Sequence, residues 1–339
     1  MHYFFDQNHR RHRPPFEVFN GDHDTAQEVP ERAEQIYAAL CAHGHTHLQT
    51  IRSVPRNILT QVHDEKYLDF LQSSCAGLKS DGYLCPSVRP YATTHDPLRI
   101  ANPVALRGQY IFDTYTPLLT ETWHAALSSA SLAYSGALEL LDKKSEIVYA
   151  LCRPPGHHAE HACAGGYCYI NNTAVAAQTL SKHGKVAIID VDFHHGNGTQ
   201  HIFYDRSDVL TVSIHADPHD KFPFYSGFAD ETGMGVGSGF NLNIPLSLGT
   251  SDREYDMALS RALERVALFK SDFLIIAYGA DTHESDPIGG FKLSTLYFQK
   301  MGSCLKSLHL PTLIVQEGGY NNEHLGTNVV TFLSGFEKI

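Results

Sequence analysis

The sequence predicts an α/β fold, a central parallel sheet flanked by helices on both faces. Three observations carry that prediction. Five short apolar runs rich in β-branched residues recur at 147–152, 186–191, 209–214, 273–278 and 312–316. Each is continuous rather than alternating, as strands buried on both faces read. Helix-like stretches separate the runs, and strand–helix alternation builds a parallel sheet. Finally, polar and glycine-flanked residues follow the runs, and in such sheets ligands bind beyond the carboxyl ends of the strands.

The bulk properties fit this class. The 339 residues predict one large domain, 1–339, and 42% hydrophobic with 19% charged residues supplies a sizeable core and excludes a disordered chain. Lys plus Arg is 26 against 37 Asp plus Glu, a net charge of −11. That disfavours a phosphate-tracking nucleic-acid binder and favours a small cationic partner, although solubility explains it equally well. No stretch of about 18 apolar residues exists to cross a membrane. The amino terminus, MHYFFDQNHRRHRPP, puts its bases after a short apolar patch, the wrong order for a signal peptide, so a cytoplasmic location is expected. Seven cysteines with no CxxC pair argue against a disulfide framework or zinc ribbon. Histidine is the unusual residue, at 22.

Along the chain, residues 72–125 break the regularity. Gly77, Gly82, Pro86, Pro90, Pro97, Pro103, Gly108 and Pro117 mark a long, partly ordered insertion of the kind that forms lids or oligomer contacts. After the run at 147–152 comes Arg-Pro-Pro-Gly-His157-His158. A helix is predicted at 171–183, with Ala174, Val175, Ala177 and Leu180 on one face. The run at 186–191 leads into Asp190-Val-Asp192-Phe-His194-His195-Gly-Asn197-Gly. A helix at 252–269 follows the capping signal Thr250, Ser251, Asp252 with Glu254. The run at 273–278 ends in Gly-Ala-Asp281, a third helix is predicted at 293–308, and the run at 312–316 ends in Glu317-Gly318-Gly319-Tyr320.

These strand ends carry chemistry. In an extended segment Asp192 and His194, two apart, point to the same side. A lone Asp-x-His would more often cap a turn, but Asp281 at another strand end supplies a third ligand. Three protein ligands leave a position for water, as in catalytic zinc sites. Adjacent histidines face inward together only on an irregular turn, which Pro154, Pro155 and Gly156 provide. Such a pair divides labour: one ring takes a proton from water and the other stays protonated or orients. Asp190 and Asn197 are the available partners for the two rings. Gly318-Gly319 lets Tyr320 swing toward the site, where a phenol donates to a developing oxyanion.

The segments RPPGHH, GGYCYINN, IIDVDFHHGNGTQHIFY, TVSIH, GADTHESDPIGGFKL and EGGY, with a weaker match at VPERAEQI, resemble the histone deacetylase and acetylpolyamine amidohydrolase superfamily. The likeness runs from about residue 120 to the end and is strongest to the bacterial acetylpolyamine amidohydrolases. It implies an arginase/deacetylase-like fold and a zinc-dependent amide hydrolase with one Zn2+ held by Asp192, His194 and Asp281. It also implies His158 as general base and later acid, Asp190 as partner of His157, and Tyr320 as the group polarising the acetyl carbonyl. Asn197 stands where some members have aspartate. Tyr167 and Phe222 match the aromatic walls of the acyl-amine channel, with Gly166 and Gly318 beside the substrate. Trp123 either lines the site or anchors the insertion. Glu17 matches a position that meets a distal ammonium, and Arg32 an arginine of an internal cavity. Structural K+ or Na+ is implied at Asp190, Asp192, His194, Ser213 and Ile214, and at Phe203, Arg206, Val209 and Phe240. A homodimer formed through the insertion is implied as well.

The resemblance favours acetylated polyamines or diamines as substrates, with acetyl-lysine peptides as the alternative. A non-catalytic binding relative and a two-manganese ureohydrolase rank lower, because one metal's ligand set, the base and the tyrosine are all present. His195 is expected to support the site from behind, and His201, His215 and His283 to sit in turns or on the surface.

Overall fold

A computed structural model describes residues 1–19, 22–78, 82–84 and 103–337. The strands are β1 (His2–Phe4), β2 (Glu17–Phe19), β3 (Asp22–Asp24), β4 (Tyr83–Leu84), β5 (Leu118–Leu119), β6 (Ile147–Ala150), β7 (Val186–Asp190), β8 (Val209–Ala216), β9 (Asn241–Leu246), β10 (Phe273–Tyr278) and β11 (Thr312–Gln316). The helices are α1 (Glu31–Ala42), α2 (Arg56–Leu59), α3 (Glu65–Gly77), α4 (Pro103–Tyr110), α5 (Thr122–Leu141), α6 (Asn172–Leu180), α7 (Asn197–Phe203), α8 (Asp252–Phe269), α9 (Thr295–Lys306) and α10 (Leu325–Ser334). Seven strands form one sheet in the order β1-β6-β11-β10-β7-β8-β9, parallel throughout.

Alternate residues of each inner strand feed opposite cores. Leu274, Ile276 and Tyr278 of β10 pack with α1, α8, α9 and α10. Ile275, between them, packs with α3, α5 and α6. Both faces are therefore covered, which is why the inner strands read as unbroken apolar runs. The five predicted strands are all present. The helix predicted at 171–183 is α6, capped by Asn171, whose side chain accepts from Ala174 N at 2.8 Å. Glu254 accepts from the Ser251 backbone and hydroxyl at 2.8 and 2.7 Å and starts α8.

Two sheet strands escaped the sequence reading, and both are edges. β1 is only three residues long, and β9 alternates Asn241 and Asn243 with apolar residues and contains Pro245. An edge strand is not enclosed on both sides, so it needs no continuous apolar run and tolerates proline. The described part of 72–125 is also more regular than its Gly and Pro content predicts. It holds the end of α3, all of α4, the β4–β5 pair and the start of α5. Pro103 opens α4, where its missing N–H costs nothing. The rest of the expected insertion, at 79–81 and 85–102, lies outside the described residues.

Candidate active site

β6, β11, β10 and β7 are neighbours in the sheet, and their carboxyl ends bring the four polar motifs together. Asp192 and His194 follow β7, and Asp281 follows β10. One potential ligand atom from each lies within 4.8 Å of the others. His194 Nδ1 is 3.1 Å from Asp281 and 3.5 Å from Asp192. The backbone aims the carboxylates: Asp192 accepts from His194 N at 2.9 Å and Gly318 N at 2.8 Å, and Asp281 from Phe193 N at 3.0 Å. A Cβ on Gly318 would lie 2.6 Å from both carboxylates, so only glycine permits this approach. Both aspartates are fully buried. Burial, then the Asp192 charge, push Asp281 up to about 7. Two buried carboxylates against an imidazole call for a compensating cation, and this N/O donor set suits zinc.

The turn after β6 turns both histidine rings inward, 3.9 Å apart between centroids. Glu317, after β11, fixes the turn by accepting from Gly156 N at 2.6 Å, His157 N at 3.1 Å and the Thr173 hydroxyl at 2.9 Å. His157 Nδ1 meets Asp190 at 2.9 Å. Burial alone would lower the His157 pKa, but the charges of Asp192 and Asp190 push it up to about 10. His158 Nδ1 meets Asn197 Oδ1 at 2.8 Å. Burial, then repulsion from His157 and His194, hold His158 well below the ordinary imidazole range. One ring is thus set up as a cation and its neighbour as a neutral base.

Tyr320 is held through its backbone, which donates to Asp286 at 2.7 Å. Burial keeps its phenol protonated, with a pKa well above 10. Arg32 lies 4.5 Å from the Tyr320 ring centre. It donates to Gly319 O at 2.6 Å, Glu317 O at 2.7 Å and Glu28 at 2.9 Å. Arg32 therefore clasps the loop that carries Tyr320. Glu28 is completed by Arg153 Nε at 2.7 Å. Glu28, Asp286 and Glu317 were all missed as site-supporting residues. An acid followed by two glycines at a strand end was the available signal for Glu317; Glu28 and Asp286 carried none.

The walls come from distant loops. Tyr167 lies 5.8 Å from Tyr320, and Phe222 meets His158 edge-on at 4.9 Å. Phe112 and Tyr115, unremarked in the sequence, stand 5.9 and 5.7 Å from Phe222. Gly166 has a positive φ of 56°, and a Cβ there would sit 2.2 Å from the His158 ring. Asp113 accepts from Gly166 N at 2.5 Å, and Thr116 from Tyr167 N at 2.9 Å. Glu17 accepts from the Tyr167 hydroxyl at 3.3 Å. Trp123 is not brought to these walls: it is buried in the apolar cluster with Phe70 and Tyr110, where a large ring gains most by leaving water.

The residues linked above to monovalent cations fall at the ends of β7 and β8 and around α7. Asp190 pairs with Ser213 across the sheet, and the Phe203 and Phe240 carbonyls accept from Arg206 N and Thr211 N at 3.0 Å each. Val209 opens β8, and Ile214 is buried within it. His215 corrects the turn-or-surface expectation, lying buried within β8, whereas His283 sits in the turn after β10 as expected, though buried there. His215 is paid for by Ser213 at 2.8 Å and Gly227 O at 2.9 Å, and His283 by Ser285 at 2.8 Å. His201 is exposed on α7.

Comparison with known proteins agrees with this geometry. The Histone deacetylase domain model matches residues 26–336. Acetylpolyamine amidohydrolase 2 of Pseudomonas aeruginosa is 40% identical over 340 residues, 99% of this chain and 98% of that protein. Acetylpolyamine amidohydrolase of Mycoplana ramosa is 39% identical over 343 residues, 99% of each. The crystal structure of acetylpolyamine aminohydrolase from Burkholderia pseudomallei superposes with a TM-score of 0.93 at 36% identity, covering 99% of this chain and 98% of that one.

Proposed function

The chain belongs to the histone deacetylase family, and from that premise we propose that it hydrolyses the acetyl amide of acetylated polyamines or diamines, giving acetate and the free amine. It is a zinc-dependent amidohydrolase with the α/β, arginase-like deacetylase fold. One observation carries the chemistry: two buried carboxylates and an imidazole converge at level strand ends beside a neutral histidine. The near full-length likeness to acetylpolyamine amidohydrolases supports the substrate class.

Asp192, His194 and Asp281 would hold the zinc, which supplies Lewis-acid polarisation of a carbonyl and a more acidic water. His158, neutral, accepts the proton of the attacking water and returns it to the leaving nitrogen. His157, kept cationic beside Asp190, and the Tyr320 hydroxyl stabilise the oxygen that gains charge. Tyr167 and Phe222 flank the methylene stem, which makes no polar demand, with Gly166 and Gly318 leaving it room. Glu17 meets the distal ammonium.

The reading extends to a single domain over 1–339 with an insertion at about 72–125 that controls access and dimerisation. It includes a homodimer, checked by sedimentation, and structural K+ or Na+ at the carbonyls around Ser213 and Phe203, checked by replacing both with choline. Among the described residues no helix is long and apolar enough to cross a membrane. The deciding experiment compares kcat/KM of the zinc-loaded protein for N-acetylputrescine, acetylcadaverine, N8-acetylspermidine and an acetyl-lysine peptide. The acetylated amines should win. A faster peptide would make the protein a lysine deacetylase.

A further inference from the structure

His158 leans on an amide, and an amide has two different ends. Asn197 Oδ1 lies 2.8 Å from His158 Nδ1. Its Nδ2 faces two acceptors, Glu160 Oε1 at 2.9 Å and the His158 carbonyl at 3.4 Å. A carbonyl and a carboxylate only accept, so the end facing them must be the NH2, and the end facing His158 must be the oxygen. The oxygen can only accept, so His158 Nδ1 must carry the proton and Nε2 the lone pair. A flipped amide would present N–H to Nδ1 and move the proton to Nε2, leaving no lone pair there to take a proton from water. An aspartate at 197 would need no such control, because both its ends accept.

We propose that Glu160 is a positioning residue whose hydrogen bond from Asn197 decides which end of that amide faces His158, and so which ring nitrogen carries the proton. The second Glu160 oxygen is held by His201 Nδ1 at 3.0 Å, so the carboxylate is fixed from both sides. Glu160 is the stronger of the two orienting acceptors, being charged and half an ångström closer than the carbonyl. The proposal rests on His158 being the base of the proposed reaction.

The test uses the zinc-loaded protein and N-acetylputrescine. Glu160→Ala should lower kcat about tenfold with little change in KM, the signature of a base in the wrong tautomer. Glu160→Gln, which keeps an accepting oxygen, should restore most of it. In an Asn197→Asp background the loss should disappear. Removing Glu160 there relieves a pair of facing carboxylates and should leave kcat unchanged or raise it. Histidine-selective 15N NMR gives a readout independent of turnover. The His158 signals, assigned by their loss in His158→Ala, should show a protonated Nδ1 in the wild type and a mixture in Glu160→Ala. Wild-type kcat in Glu160→Ala, an equal tenfold loss in both backgrounds, or an unchanged tautomer would each overturn the proposal. If the wild type hydrolyses none of the acetylated amines, the reading of the reaction falls, and the NMR comparison still decides the role of Glu160.

Discussion

Four adjacent strands end level and deliver the floor of the site, whereas its walls are gathered from β2, the segment after α4, and two loops far apart in the chain. The floor is buried and tied to backbone: Asp192, Asp281 and Glu317 are buried and each accepts from main-chain N–H groups. The walls are half-buried rings in loose edge and stacked contact. A floor held this way needs little rearrangement when charge develops, so it governs turnover. Rings that only exclude water and flank a stem act on binding. Substitutions in the floor should therefore lower kcat, and those in the walls should raise KM.

The largest effect is expected where the floor meets the metal. Asp281→Asn should abolish stoichiometric zinc binding and lower kcat by about a thousandfold, because several kcal/mol of transition-state stabilisation are lost. Metal content by elemental analysis with parallel kinetics checks this; full activity without zinc would end the metal assignment. Tyr320→Phe comes next, with kcat down about a hundredfold or more and KM nearly unchanged. A change confined to KM would move Tyr320 from the floor to the walls.

Asp113 joins the two regions, and its effect should appear in stability. Burial pushes its carboxyl up to about 6 from an ordinary 3.8. The folded state therefore holds this proton more tightly than the unfolded chain does. Its contribution favours folding below about pH 4 and is lost as pH rises to 6, amounting to about 3 kcal/mol. Asp113→Asn keeps an oxygen for Gly166 N and removes the titration. The melting temperature of the variant minus that of the wild type should rise between pH 4 and 7. A difference that stays flat would show that Asp113 does not titrate in this window.

The floor was also the legible half of the molecule. Asp192, His194, Asp281, His157 and Tyr320 announce themselves because each follows an unbroken apolar run, and a parallel sheet places such residues at one edge. Their supports were less visible. Glu28 lies before α1, far from any strand end, and is placed only when Arg32 and Arg153 converge on it. Phe112 and Tyr115 sit in a stretch whose glycines and prolines read as irregular, and their role depends on long-range packing against Phe222. Periodicity reports burial on a regular element. It does not report which loop side chain meets another across the mouth.

The smallest expected effect tests the rim. The acids of the described insertion are already engaged: Asp113 with Gly166 and Thr116, and Glu121 with Arg11 at 2.8 Å. Glu17 is held by two neutral donors, the Tyr167 hydroxyl at 3.3 Å and Gln27 N at 3.2 Å. Burial raises its pKa despite those bonds, so its charged form gains from a nearby cation. A distal ammonium would supply that cation beside the aromatic wall. Glu17→Gln should raise KM for N-acetylputrescine about fivefold, roughly 1 kcal/mol for one partly desolvated charge pair. A neutral N-alkylacetamide of the same length should be unaffected. Equal losses for both substrates would mean that Glu17 only props Tyr167, and the preference for cationic amines would then have to come from the insertion.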